Sequence, residues 1–175
     1  MKKLLAVIDY QNDFVDGALG FEKAQQIPVC EKIKKCIEEG YEVVFTLDTH
    51  YENYMETQEG RNLPVPHCIK GTKGHELYGD AKKYAENAKI FEKVTFGSVE
   101  LAEYIAKGEY ESVELIGLVS NICVISNAVT IKAHNPELQI IVDSSCTAAI
   151  NDDINKAALD IMRSVQVKVD RKSVV

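Results

Sequence analysis

The segment SVELIGLVSNICVISNAVTIKAH, residues 112–134, joins two patterns without a break. Its first eight residues are mostly apolar, rich in Val, Ile and Leu with no clean alternation, as expected of a strand buried on both faces of a parallel sheet. From Asn121 onward the pattern is helical. A strand that runs directly into a helix is the repeating unit of an α/β domain.

The same alternation extends in both directions. KLLAVID (3–9), YEVVFTLD (41–48), KIFEKV (89–94), LQIIVD (138–143) and VQVKV (165–169) are further strand candidates. Between them lie helical patterns. VCEKIKKCIEEG (29–40) sets Val29, Ile33, Cys36 and Ile37 on one face and ends in glycine. SVELAEYIAKG (98–108) opens on Ser98, a good N-cap residue, and NDDINKAALDIMRS (151–164) supplies another helix. The expected fold is a single α/β domain over residues 1–175. It is a doubly wound, Rossmann-like, mostly parallel six-stranded sheet with helices on both faces. Residues 51–74, which contain Pro64 and Pro66, read as one long loop, and loops of that length are usually functional or disordered.

Composition narrows the function. The chain of 175 residues is 46% hydrophobic and 27% charged, with a net charge of −7. It has no basic stripe for a nucleic acid. The N-terminal MKKLLAVIDY stops being apolar at Asp9, too early for a signal peptide, and no stretch is long enough to span a membrane. A cytoplasmic protein is expected. The five cysteines are odd in number and lack CxxC spacing, which speaks against a disulfide framework and a thiolate zinc site. No GxGxxG follows the first strand, so a dinucleotide site is not expected either.

In doubly wound sheets the chemistry lies beyond the carboxyl ends of the strands. Asp9 follows the first strand, Asp48 and His50 end the second, Lys93 ends the third and Cys123 follows the fourth. A cysteine where a strand becomes a helix could be a nucleophile, because free N–H groups at a helix start favour a thiolate and can hold an oxyanion. It could equally be a small buried hydrophobe. Asp9 could be a base, a cap or a turn former, and Lys93 could be an ordinary solvated lysine. Asp48 and His50, two apart, share a strand face and suit a metal. His67, just after the two prolines of LPVPHC, would be held still as a ligand or simply bonded to backbone. His75 and His134 read as ordinary surface or helix histidines.

Taken in order, VIDYQNDF, LDTH, LPVPHC, KVTFGS and GLVSNICV resemble the isochorismatase-like cysteine hydrolases, and within them the nicotinamidases. The resemblance runs over nearly the whole chain. It implies a catalytic triad of Asp9, Lys93 and Cys123. In this triad Lys93 keeps Asp9 ionised, Asp9 is the general base and Cys123 attacks an amide carbonyl. Backbone N–H groups of Val119 and Cys123 would hold the oxyanion, after a cis peptide at Leu118–Val119.

The resemblance further implies one divalent metal beside the triad, zinc first and iron or manganese as alternatives. Asp48, His50 and His67 match three of its ligands. Tyr54 stands where another histidine is usual, and Glu59, with Glu56 as fallback, fits the remaining place. Phe14 and Phe96 would line the substrate pocket, while Pro64 replaces a usual aromatic. The implied reaction converts nicotinamide to nicotinate and ammonia. The alternative is a relative acting on another small amide, such as an N-carbamoyl or ureido compound, and such relatives commonly lack the metal residues. Cleavage of a vinyl ether fits less well with Cys123 present. A ligand-binding module that has lost turnover is the reading from a different class. The expected partner is a small amide, with no nucleic acid or membrane, and the chain is expected to form a homo-oligomer.

Overall fold

The protein was analysed as a computed structural model that describes residues 2–170. Its sheet has six strands: β1 (Lys2–Ile8), β2 (Glu42–Asp48), β3 (Lys89–Lys93), β4 (Tyr110–Leu118), β5 (Gln139–Ala148) and β6 (Lys168–Asp170). They lie in the order β3-β2-β1-β4-β5-β6. Every neighbouring pair is parallel, so the sheet is wholly rather than mostly parallel. The direction of winding reverses between β1 and β4, and a crevice opens at the carboxyl ends of strands at such a point.

The helices are α1 (Asn12–Val15), α2 (Glu22–Gln26), α3 (Val29–Glu38), α4 (Gln58–Asn62), α5 (Ala81–Ala85), α6 (Val99–Lys107), α7 (Ile125–His134) and α8 (Asp152–Ser164). Strand side chains alternate between two cores. On β1, Leu4, Ala6 and Ile8 pack with α6, α7 and α8, whereas Leu5 and Val7 pack with α2, α3 and α5. That two-sided burial explains why the strands read as unbroken apolar runs. Ser98 caps α6 by accepting from the Leu101 N–H at 3.1 Å.

Two expectations need correction. Ile37 does not join the buried face of α3: Val29, Ile33 and Cys36 are buried, but Ile37 is 46% exposed because the helix ends there. Residues 51–74 are also not one irregular loop. They fold into a 3₁₀ turn at Tyr54–Glu56, helix α4 and a second 3₁₀ turn at Lys73–His75. Thr57 caps α4 by accepting from the Gly60 N–H.

The chain leaves β4 through a close approach. Gly117 has φ +111°, and a Cβ there would lie 2.0 Å from the Ile8 carbonyl oxygen. Only glycine lets β4 pass β1 this tightly, just before the Leu118–Val119 peptide, which is cis. Among the described residues, no helix is long and apolar enough to cross a membrane.

Candidate active site and metal centre

The ends of β1, β3 and β4 bring Asp9, Lys93 and Cys123 together. Asp9 adopts φ +45°, a left-handed turn that aspartate tolerates better than most residues. Its Oδ1 accepts from Thr46 Oγ1 at 2.6 Å, while its N–H donates back to the same hydroxyl oxygen. Lys93 Nζ lies 2.6 Å from Asp9 Oδ2, 2.9 Å from the Thr95 carbonyl and 3.6 Å from Cys123 Sγ. An ammonium has three protons to donate, so these partners fix its orientation. All three side chains are buried.

The electrostatics follow from that burial. Burial opposes the charge on Lys93, but Asp9 and Cys123 outweigh it and hold its pKa above that of a free lysine. Burial raises the Asp9 pKa even though Lys93 pulls the other way. Burial, and then the charge of Asp9, push the Cys123 thiol well above its ordinary value. Burial thus favours the protonated thiol over a standing thiolate at this turn. The local structure differs as well: residues Ser120–Val124 form a π turn, and α7 begins only at Ile125. The Val119 carbonyl accepts from the Ile122 and Val124 N–H groups, which ties the turn down around Cys123.

Beside this trio, Asp48, His50, Glu59 and His67 converge, with one potential ligand atom from each lying within 4.8 Å of all the others. Asp48 Oδ2 is 3.0 Å from His50 Nε2 and 3.3 Å from His67 Nε2. Glu59 Oε1 is 3.6 Å from both imidazole nitrogens. The donor set fits a divalent cation. His67 Nδ1 lies 2.7 Å from the Val65 carbonyl, which places a ring proton there and turns Nε2 toward the cluster. Burial and the charge of Asp48 raise the Glu59 pKa, so two carboxylates face each other across a site that favours positive charge. Burial tends to neutralise Asp48, but hydrogen bonds from His50 and His67 and the charge of Lys93 hold its pKa below the usual carboxylate range. Glu56 is exposed and lies outside the group.

Several supporting residues carried no clear sequence signal. Gln11 is fully buried, two residues beyond Asp9. Its Nε2 donates to the Asp48 and His75 carbonyls, each at 2.9 Å, and its Oε1 accepts from the Asp48 N–H at 2.8 Å. One amide thus clamps the ends of β1 and β2 together. Gln11→Met is expected to weaken metal binding by about tenfold or more, as loss of outer-shell support typically does. Chelator competition on the folded variant checks this, and unchanged affinity would refute it. His75 is not an ordinary surface histidine: it is buried, with Nε2 2.9 Å from Thr49 Oγ1. His134 is exposed, as expected. Tyr54 packs edge-on to His50 and His67 at 4.8 and 5.1 Å and donates to the Leu63 carbonyl, so it supports the ligands from behind.

A cleft of about 780 Å³ reaches His50 and Glu59 of the metal group. Thr49, His50, Glu59, Phe96 and Ile122 line it, and Cys123 is the buried neighbour of Ile122. Phe96 is 43% exposed there. Phe14 packs edge-on to His67 at 5.5 Å instead of lining the cleft.

Comparison with known proteins gives a consistent picture. The isochorismatase domain matches residues 3–171. Nicotinamidase PncA from Bacillus subtilis superposes with a TM-score of 0.83 at 32% identity, covering 98% of this chain and all of that one. A zinc complex of pyrazinamidase from Pyrococcus horikoshii gives 0.85 at 27% identity over 98% of this chain and 100% of that one. N-carbamoylsarcosine amidase from Thermoplasma acidophilum gives 0.82 at 28% identity over 98% of this chain and 96% of that one.

Proposed function

The chain belongs to the isochorismatase family, and on that premise we propose that it is a cysteine amidohydrolase that converts nicotinamide to nicotinate and ammonia. The observation that carries this reading is one juxtaposition: Lys93 Nζ lies 2.6 Å from Asp9 and 3.6 Å from the Cys123 thiol, directly beside the group Asp48, His50, Glu59 and His67.

The chemistry follows from the resting protonation states. Asp9 accepts the Cys123 proton as Sγ attacks the amide carbonyl carbon. Lys93 remains an ammonium and offsets the negative charge that moves between Asp9 and sulfur. The N–H groups of Val119 and Cys123 hold the oxyanion. Protonated Asp9 passes its proton to the departing nitrogen, which leaves as ammonia with cleavage of the C–N bond. Water then attacks the thioester, giving its proton to Asp9. The C–S bond breaks, the acid departs, and Asp9 returns a proton to sulfur. Asp48, His50, Glu59 and His67 would hold a divalent cation, zinc first, which would supply Lewis-acid chemistry toward the substrate ring.

The similarity to N-carbamoylsarcosine amidase favours one second reading, hydrolysis of an N-carbamoyl compound. The four-residue metal group weighs against it. Ammonia release from nicotinamide and from N-carbamoylsarcosine, measured side by side with metal analysis of the purified protein, separates the two. Nicotinamide turnover by a metal-loaded protein is expected. No release from any small aromatic amide would sink the main reading.

A further inference from the structure

The cleft is much larger than the proposed reaction needs. A nine-heavy-atom aromatic amide occupies on the order of 150 Å³ at interior packing density, against about 780 Å³ here. Burial gives the cleft a direction. Its inner end carries Thr49 and His50, which are buried, and its outer end carries Asn53, Gln58 and Asn62, which are exposed. Gln58 and Asn62 are one helical turn apart on α4, so they share a face. Both line the same cleft as Glu59, on the same short helix. Among the described residues, no lysine or arginine lines the cleft.

We infer that this outer end is a second substrate subsite, for a neutral hydrogen-bonding substituent on the aromatic amide, recognised by Gln58 and Asn62. The inference rests on the amidohydrolase reading. With the ring nitrogen toward the metal group and the carboxamide toward Cys123, only ring carbon 5 is bonded to neither the nitrogen nor the carboxamide-bearing carbon. A substituent there has a free path outward. The absence of a cationic lining residue selects hydroxyl or amide groups over phosphate.

The test compares kcat/KM for nicotinamide, 5-(2-hydroxyethyl)nicotinamide and 5-propylnicotinamide, the last two being near-isosteric. The wild-type protein is expected to prefer the hydroxyethyl over the propyl compound by about tenfold, the value of one well-made hydrogen bond. The double variant Gln58→Leu/Asn62→Leu, both at exposed positions, is expected to erase that preference. Equal wild-type rates for the two compounds, or a preference that survives the double variant, would overturn the subsite. If nicotinamide is hydrolysed and both substituted amides are refused, the subsite is also wrong while the proposed activity stands. If all three are inert, the amidohydrolase reading fails and the subsite with it.

Discussion

Cys123→Ala is expected to lower kcat/KM for nicotinamide by roughly 10,000-fold or more, the scale seen when a covalent nucleophile is removed from a site whose residues act as a unit. The prediction is sharp because the change is otherwise small. Cys123 is 5% exposed and packs with Val124 and Ala128, so losing one sulfur costs about 1 kcal/mol of stability. The metal group uses none of its atoms and should bind as before. Folded, metal-loaded and inactive is thus the expected phenotype, read by circular dichroism, metal analysis and ammonia release. Alkylation offers a second view. Burial raises the pKa of both thiols, but Cys123 is buried whereas Cys30 is partly exposed. A neutral alkylating reagent should therefore reach Cys30 first. In the proposed mechanism, activation of Cys123 depends on a bound amide and on Asp9. A Cys123→Ala protein that retains even a tenth of its activity would mean that something other than this thiol attacks the carbonyl.

The fold was legible because its signals are local. The four central strands, β1, β2, β4 and β5, are short two-sided apolar runs, and three of the four long helices carry a side-chain cap or a glycine stop, at Ser98, Asn151 and Gly40. The site was legible for a related reason. In a doubly wound sheet, residues just past strand ends share one edge, so Asp9, Asp48, His50, Lys93 and Cys123 could be grouped before their distances were known. Glu59 came only from the family resemblance, which calls for a carboxylate at about its spacing from His67. What stayed hidden depends on contacts that span many residues. Gln11 matters through bonds to Asp48 and His75, 37 and 64 positions away, and a lone glutamine carries no trace of that. Tyr54 supports two imidazoles by ring packing, which leaves no periodic mark. The π turn at 120–124 interrupts what reads as a continuous helix, and burial of the thiol depends on packing around that turn. The short helix α4 was hidden in a polar, proline-flanked segment too brief to show a period.

Asp9→Asn is expected to be damaging twice over, and a second substitution separates the two effects. The amide nearly preserves shape, and its oxygen can still accept from Thr46. It removes the base, so activity should fall between about 100-fold and 10,000-fold. It also leaves the Lys93 ammonium buried without its closest counter-charge, with Asp48 Oδ1 the remaining carboxylate at 3.8 Å. Breaking a buried ion pair from one side typically costs 3–5 kcal/mol, and Asp48 should keep the loss near the lower end, about 3 kcal/mol. Replacing both partners with uncharged groups removes the stranded charge. The double variant Asp9→Asn/Lys93→Met should therefore recover more than half of the lost stability in chemical denaturation while remaining inactive. That divergence is the diagnostic result, because stability would follow the pairing of charges while activity would follow the presence of the carboxylate. If the double variant regains activity along with stability, Asp9 serves only to neutralise Lys93. If Asp9→Asn alone is fully stable, the 2.6 Å contact does not hold a charged pair in the folded protein.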